Sequence, residues 1–213
     1  MEIKKLVATI VMLTTIFSVG ETAWAAEPKY SQQRESVVAE IAEKYDITEG
    51  EILQLNSNME KAFELADEVE AVSIQDDFIQ KMVPVSENLV LVITTKENKT
   101  KARATRRKTI TSTAELQNIL GKTVITLTSV GVFQIDGSTC TPIDAYGTYT
   151  SWVWNITTTD SKLGSTSYES WVRNGFSSEL NVGVDPVSMT IQTCSYTCKI
   201  YCDANGTYSV SWS

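Results

Sequence analysis

Three of the four cysteines of this chain lie in one short segment, CSYTCKIYC, which covers residues 194–202, and the fourth is Cys140. Cysteines form disulfides, bind metal ions or exchange thiols, and each chemistry has its own spacing. A metal knuckle and a thiol-exchange site both use two cysteines separated by two residues, and no such pair occurs here. We therefore expect disulfides, no metal site and no cofactor.

The pairing depends on the local backbone. If the segment is one straight strand, cysteines four apart lie about 13 Å from each other, beyond the separation of about 7 Å that a disulfide tolerates. One of them then pairs with Cys140, and two stay free or find another chain. A turn at residues 195–197 instead lets Cys194 pair with Cys198. Cys140 then pairs with Cys202, and this is the arrangement we favour.

Catalytic chemistry has little support. The chain has no histidine, which excludes Ser-His-Asp and Cys-His sites. Phosphate-binding, dinucleotide-binding and G-x-S-x-G motifs do not occur. A carboxylate pair remains, as in glycan hydrolases, but no acid of the C-terminal part has a distinctive setting, so we expect no enzymatic activity. The acids considered are Asp136, Asp144, Asp160, Glu169, Glu179 and Asp185.

The first 25 residues predict the compartment. Lys4 and Lys5 precede an apolar run over residues 6–19, and the small-residue site Ala23-Trp24-Ala25 follows. This is the pattern of a secretory signal peptide, and the run is shorter than the about 20 residues of a spanning helix. We expect cleavage after Ala25 and a secreted chain, with no membrane span after signal removal.

The rest of the chain consists of three segments that differ in net charge. The net charge is −8, made of −9 over residues 27–96, +5 over residues 97–108 and −4 over residues 109–213. The acidic balance argues against a nucleic-acid partner. The basic segment lacks large apolar side chains, so we expect a solvated linker at 97–108. It separates a helical N-terminal region with one strand, residues 26–96, from a β-rich domain.

The N-terminal region has the period of helices. Apolar residues recur at helical spacing in residues 31–72, and Thr48 with Glu51 forms a capping box that starts the second helix. Residues 76–82, DDFIQKM, predict a third short helix. Residues 84–95, PVSENLVLVITT, predict a strand after a proline.

Part of this region resembles the front two-thirds of a LysM peptidoglycan-binding module. The similarity covers residues 30–56, where such modules have an IA-x-x-Y helix and then an L-x-x-x-N ending. Arg34-Glu35 stands where such modules have Gly-Asp, and their closing strand does not follow. The resemblance implies a partner in cell-wall glycan. The residues in register are Ile41, Ala42, Tyr45, Ile52, Leu53 and Asn56.

In residues 109–213 apolar and polar residues alternate, which is the period of β-strands. The segment is rich in Thr, Ser, Val, Tyr and Trp, and turn signals recur about every ten residues. Asp136-Gly137 and Asn205-Gly206 are hairpin turn sequences. Many short alternating segments predict an antiparallel all-β sandwich or barrel, and with the helices an α+β fold.

The C-terminal part also resembles uncharacterised secreted proteins of Gram-positive bacteria. These combine a helical N-terminal segment with a β-rich end that has one Cys in a G-x-x-C loop and a closing C-x-x-x-G-x-x-S. GSTC at residues 137–140 and CDANGTYS at residues 202–209 carry the similarity. The resemblance implies the same architecture and no particular activity, and Cys194 and Cys198 depart from it.

Aromatic residues suggest the function. A platform of exposed rings can bind sugar rings, although aromatic residues equally build the core. We predict an extracellular or cell-wall-associated binding module, whose partner is a cell-wall glycan or another extracellular protein. The predicted platform is Trp152, Trp154, Trp171 and Trp212.

Two alternatives stay open. The first is a secreted effector or bacteriocin-like protein, released from a helical pro-segment by cleavage near Arg107, since exposed basic linkers are where proteases cut. Arg106, Arg107 and Lys108 form that processing site. The more remote alternative is a carboxylate-dependent glycan hydrolase.

Overall fold

In the computed structural model the described part of the chain begins with three helices. They are α1 over residues 35–45, α2 over Glu49–Leu53 and α3 over Leu55–Ala66. The residues described throughout are 35–71, 73–75, 78–100, 106–151, 154–166, 169–184 and 187–213.

Local hydrogen bonds define the helix boundaries. Asp46 has a φ of 56°, which breaks α1, and the backbone N–H of Ile47 donates to the carbonyl of Ala42 at 3.1 Å. Thr48 then caps α2, because its hydroxyl accepts the N–H of Glu51 at 3.2 Å. The carboxylate of Glu51 accepts the N–H of Thr48 in return at 2.8 Å. The predicted capping box is confirmed.

The first sheet is an antiparallel meander of six strands in the order β1-β2-β3-β4-β5-β6. Polar and apolar residues alternate along β4, so its apolar side chains line one face of the sheet. The strands are β1 (Ser73–Gln75), β2 (Phe78–Pro84), β3 (Leu89–Thr100), β4 (Arg106–Asn118), β5 (Thr123–Ile135) and β6 (Cys140–Ser151).

The second sheet is a four-stranded antiparallel meander in the order β10-β9-β8-β7. Even-numbered residues of β8 and β9, from Ser170 to Leu180 and from Cys194 to Cys202, are buried and define its inner face. Odd-numbered residues of these strands form the outer face. The strands are β7 (Asn155–Ser165), β8 (Glu169–Val184), β9 (Val187–Asp203) and β10 (Tyr208–Trp212).

Helix α3 connects the two sheets through an aromatic cluster. The ring centroid of Phe63 lies 5.7 Å from those of Tyr196 and Trp212, on β9 and β10. Trp212 also stacks on Phe176 of β8 at 6.0 Å. Helical residues and residues of both sheets consequently belong to one hydrophobic core.

Polar side chains also join the sheets. The amide nitrogen of Asn174, which is fully buried on β8, donates to the hydroxyl of Ser129 on β5 at 2.7 Å. The hydroxyl of Ser161 donates to the amide oxygen of Asn174 at 2.6 Å. The indole N–H of Trp212 donates to the hydroxyl of Ser112 on β4 at 2.9 Å. The bonds to Ser129 and Ser112 join the two sheets, and the bond from Ser161 satisfies the rest of the buried amide, because a buried polar group needs a partner.

Two predictions for the N-terminal region are wrong. Residues 78–82, predicted as part of a third helix, belong to β2, whose pairing with β3 overrides a short helical pattern. The region up to residue 96 therefore has three strands where one was predicted. The predicted strand in residues 84–95 is confirmed by β3 from Leu89 onward.

The segment predicted as a linker is structured on both sides of residues 101–105, which lie outside the described residues. Residues 97–100 end β3 and residues 106–108 begin β4, and the two strands pair up to Thr100 and Arg107. The ammonium of Lys108 lies 3.0 Å from the carboxylate of Glu97. Strand pairing thus crosses the predicted boundary, since the ion pair and the ladder hold the basic residues in the sheet.

The turns of the β-rich part follow the sequence prediction except at residues 195–197. Gly137 and Gly206 have positive φ in the turns between β5 and β6 and between β9 and β10. Residues 195–197 lie inside β9, which pairs continuously there with β8. Among the described residues no helix combines the length and the apolarity needed to cross a membrane.

Candidate binding face

The predicted tryptophan platform does not form. Trp154 and Trp212 are each 4% exposed and belong to the core, which corrects their assignment because a buried ring cannot contact a ligand. Trp152 lies outside the described residues. Trp171 is partly exposed, on the outer face of the second sheet.

Trp171 belongs to a row of residues that crosses this outer face, which we call the aromatic row. Gly164, Trp171, Tyr201 and Ser209 are register partners on β7, β8, β9 and β10. Adjacent strands lie about 4.8 Å apart, so the two rings are direct neighbours. A Cβ at Gly164 would lie 2.3 Å from Cζ2 of Trp171. Glycine at this position therefore lets the indole pack close against the edge strand.

A second row lies two residues along each strand, and we call it the basic row. Lys162, Arg173 and Lys199 are register partners on β7, β8 and β9. The side chain of Lys162 is 57% exposed and that of Arg173 is 37% exposed. Like charges that face each other across strands destabilise a sheet. The basic row therefore needs an opposing charge.

Asp160 supplies part of that charge. Its carboxylate lies 3.0 Å from the ammonium of Lys162 and 2.5 Å from the guanidinium of Arg173. Hydrogen bonds from Lys162 and Arg173 hold the pKa of Asp160 below its usual value, so the carboxylate stays ionised. A Cβ at Gly175 would lie 2.5 Å from a carboxylate oxygen of Asp160, so glycine leaves room for it. The four side chains together still carry two net positive charges.

Lys199 joins the two rows. Its ammonium lies 4.9 Å from the ring centroid of Trp171 and 4.5 Å from that of Tyr201. Both distances are within the range of cation–π attraction. The aromatic and basic rows thus form one surface, in which planar rings and cationic donors lie side by side.

The outer face of the first sheet has a different character. One register row there holds a glutamine and four threonines, which are common on solvent-facing strands. A depression of about 250 Å³ on this face is lined by Thr94, Lys96, Thr111, Thr113 and Glu115. The residues that line this depression include three threonines and no aromatic residue. The row of threonines is Gln80, Thr94, Thr113, Thr128 and Thr148.

All four cysteines are free thiols. The predicted pairing of Cys194 with Cys198 is wrong, because both lie on the continuous strand β9, about 13 Å apart. Cys140 and Cys202 interact through their side chains at the end of the two sheets. The hydroxyl of Ser170, the register partner of Cys202, donates to the carbonyl of Cys140 at 2.6 Å.

The sequence predicts two cleavage sites, one after Ala25 and one in the basic segment at residues 106–108. Ala25 lies outside the described residues. Arg106, Arg107 and Lys108 begin β4, where Arg107 pairs with Thr100 on β3 and Gln134 on β5. A protease binds its substrate as an unpaired extended segment, so pairing on both edges of β4 disfavours cleavage there.

In a glycan hydrolase one carboxyl has a raised pKa, and two of the candidate carboxylates have lowered pKa values instead. Asp136 accepts the backbone N–H groups of Ser138 at 2.9 Å and Thr139 at 2.7 Å in a turn, and these bonds lower its pKa. The pKa of Asp160 is lowered as well. Asp185 lies outside the described residues. The remaining candidates, Asp144 on β6 and Glu169 and Glu179 on β8, are distributed over both sheets.

Sequence reasoning missed most of this face. Alternation within SYESWVRN places Trp171 and Arg173 on one side of a strand, and Lys199 and Tyr201 alternate in the same way. That much could be read from the sequence. The register that aligns β8 with β9 and with Lys162 of β7 could not, because it depends on pairing between different strands.

Comparison with known proteins gives no match. No family model, curated protein or solved structure is significantly similar to this chain.

Proposed function

We propose that this protein is a secreted, non-catalytic binding module that attaches to cell-wall glycan through the outer face of its second sheet. The observation that carries the proposal is the aromatic row, in which Trp171 packs on Gly164 beside Tyr201. Rings held in this way provide a flat apolar surface for the apolar face of a sugar ring, and neighbouring polar groups can bind its hydroxyls. Export by the N-terminal signal and a closed sandwich built from the two sheets are parts of the same proposal.

The alternatives have less support. Release of a β-rich effector would remove Phe63 from its contacts with Tyr196 and Trp212 and open the core. A hydrolase would need a carboxyl group that is protonated at neutral pH, and the pKa values of Asp136 and Asp160 are lowered. A binding role needs only the surface described above. Another extracellular protein remains the second class of partner within this proposal.

Sedimentation with insoluble cell wall tests the proposal. We expect the chain to pellet with purified Gram-positive wall, and Trp171→Ala to lose most of this binding. Gly164→Ala should weaken it as well, because a Cβ there displaces the indole. Tyr146→Ala is the matched control, since Tyr146 is an exposed aromatic residue of the first sheet. Binding that is equal in all four proteins, or absent in all, would refute the proposal.

The proposed export also predicts one disulfide, between Cys140 and Cys202. Two thiols and one oxidant disulfide would give the protein disulfide and two oxidant thiols, as in ordinary exchange. Burial raises the pKa of both thiols, that of Cys202 to about 12, so closure should accelerate with rising pH. Cys194 and Cys198 should stay reduced.

Mass spectrometry of secreted protein checks this prediction. Alkylation in denaturant should label two thiols, and peptide mapping should link Cys140 to Cys202. Four labelled thiols, or a crosslink through Cys194 or Cys198, would contradict it. Cys140→Ser should give three labelled thiols.

A further inference from the structure

We propose that the basic row makes this face selective for an anionic polysaccharide, one that carries carboxylate or phosphate groups along a sugar chain. The inference rests on the proposed function and adds the charge of the ligand. Its two supports are the alignment of Lys162, Arg173 and Lys199 and their position beside the rings of Trp171 and Tyr201.

The concentration of positive charge is unusual for this part of the protein. Residues 109–213 contain four basic residues, and three of them form the basic row. The same residues carry eight acidic side chains, yet Asp160 is the acid that forms ion pairs with the row. An arrangement that places three like charges side by side costs stability. A ligand with negative charges would offset that cost.

The geometry fits a sugar with an acidic substituent. Register rows two residues apart along a strand are separated by about 6.6 Å. A ring stacked on Trp171 therefore places a charged substituent within reach of Arg173 or Lys199. The guanidinium can bind a carboxylate or phosphate through two parallel hydrogen bonds. The side chain of Lys162 is 57% exposed, so it can exchange its ion pair with Asp160 for the next charge of the polymer.

The salt dependence of binding should reveal the charge contribution. We would measure the affinity of the full chain for three probes of similar length, a polyuronate, dextran that carries phosphate groups and neutral dextran. We expect both anionic probes to bind more tightly than dextran at low salt, and the difference to disappear at high salt because exposed charges are screened. Whichever anionic probe binds more tightly identifies carboxylate or phosphate as the preferred group.

Variants separate this inference from the proposed function. Lys162→Gln and Lys199→Gln should each weaken anionic binding about two- to fivefold, as expected for charges at the surface. Lys162→Gln, which does not touch the aromatic row, should leave dextran binding nearly unchanged. Trp171→Ala should weaken all three probes. Lys96→Gln is the matched control, because it removes an exposed lysine from the outer face of the first sheet.

The outcomes are distinguishable. Equal binding of dextran and the anionic probes, with loss in Trp171→Ala, refutes the charge selectivity and leaves the proposed function standing. No binding to any polymer refutes both. Tight binding of polyglutamate, a polyanion without sugar, with equal salt dependence and equal sensitivity to Lys199→Gln would show that the face recognises charge without sugar, and would also overturn the inference.

Discussion

Replacement of Phe63 by alanine tests whether the helices and the two sheets form one cooperative unit. The side chain is 1% exposed, and its ring contacts Tyr196 and Trp212, each at 5.7 Å between centroids. Removal of a buried phenylalanine typically costs about 3–5 kcal/mol, through lost transfer free energy and the cavity left behind. The two aromatic contacts place Phe63→Ala in the upper part of that range, because such pairs contribute about 0.5–1.5 kcal/mol each beyond area burial.

Urea unfolding provides the assay. Tryptophan fluorescence reports on the β-rich part, because four of the five tryptophans lie in residues 152–212. Far-UV circular dichroism reports on the whole backbone. If the core is shared, both signals should shift together to lower urea in a single transition. Leu65→Ala is the matched control, because Leu65 lies on the same helix at 47% exposure and should change stability by no more than about 0.5 kcal/mol. A loss below about 1 kcal/mol for Phe63→Ala, or a separate helical transition, would refute a shared core.

Two further predictions concern polar side chains that accept or donate several hydrogen bonds. Glu51 accepts hydrogen bonds from Ser86 and Asn88, and although burial alone would raise its pKa, these bonds and that of the Thr48 backbone lower it from 4.5 to about 2. Its contribution to stability should therefore be present above about pH 4.5 and disappear as the pH falls toward about 2. Glu51→Gln should cost about 1–3 kcal/mol at pH 7 and much less near pH 2, as measured by urea unfolding at both pH values. An equal cost at both would contradict the assignment. Asn174→Ala should cost about 1–3 kcal/mol because it removes the partner of buried Ser129, and a thermal unfolding scan that matches wild type would show that the sheets do not depend on this bond.

Sequence reasoning succeeded where structure is local. The capping box of Thr48 and Glu51, the strand from Leu89 and the turns at Gly137 and Gly206 depend on residues a few positions apart. It failed at β2, where pairing with β3 overrides a short helical pattern. The predicted linker differs from the structure for the same reason, since polar and charged residues form strands when a neighbouring strand satisfies their backbone.

The cysteine pairing and the aromatic platform show which properties of a site could not be predicted from the sequence. The sequence allowed either a straight strand or a turn at residues 195–197, and only the sixteen-residue partner β8 decides for the strand. Which tryptophans are buried depends likewise on Phe63 and Phe176, which are distant in sequence from Trp212.

The sequence by itself determined the strand-rich character of residues 109–213, the uneven charge and the absence of histidine chemistry, because composition and period are local properties. Tertiary structure alone decided that Lys162, Arg173 and Lys199 form one row beside Trp171. The physical reason is register: a shift of one residue in β7 or in β9 would turn Lys162 or Lys199, respectively, to the opposite face of the sheet.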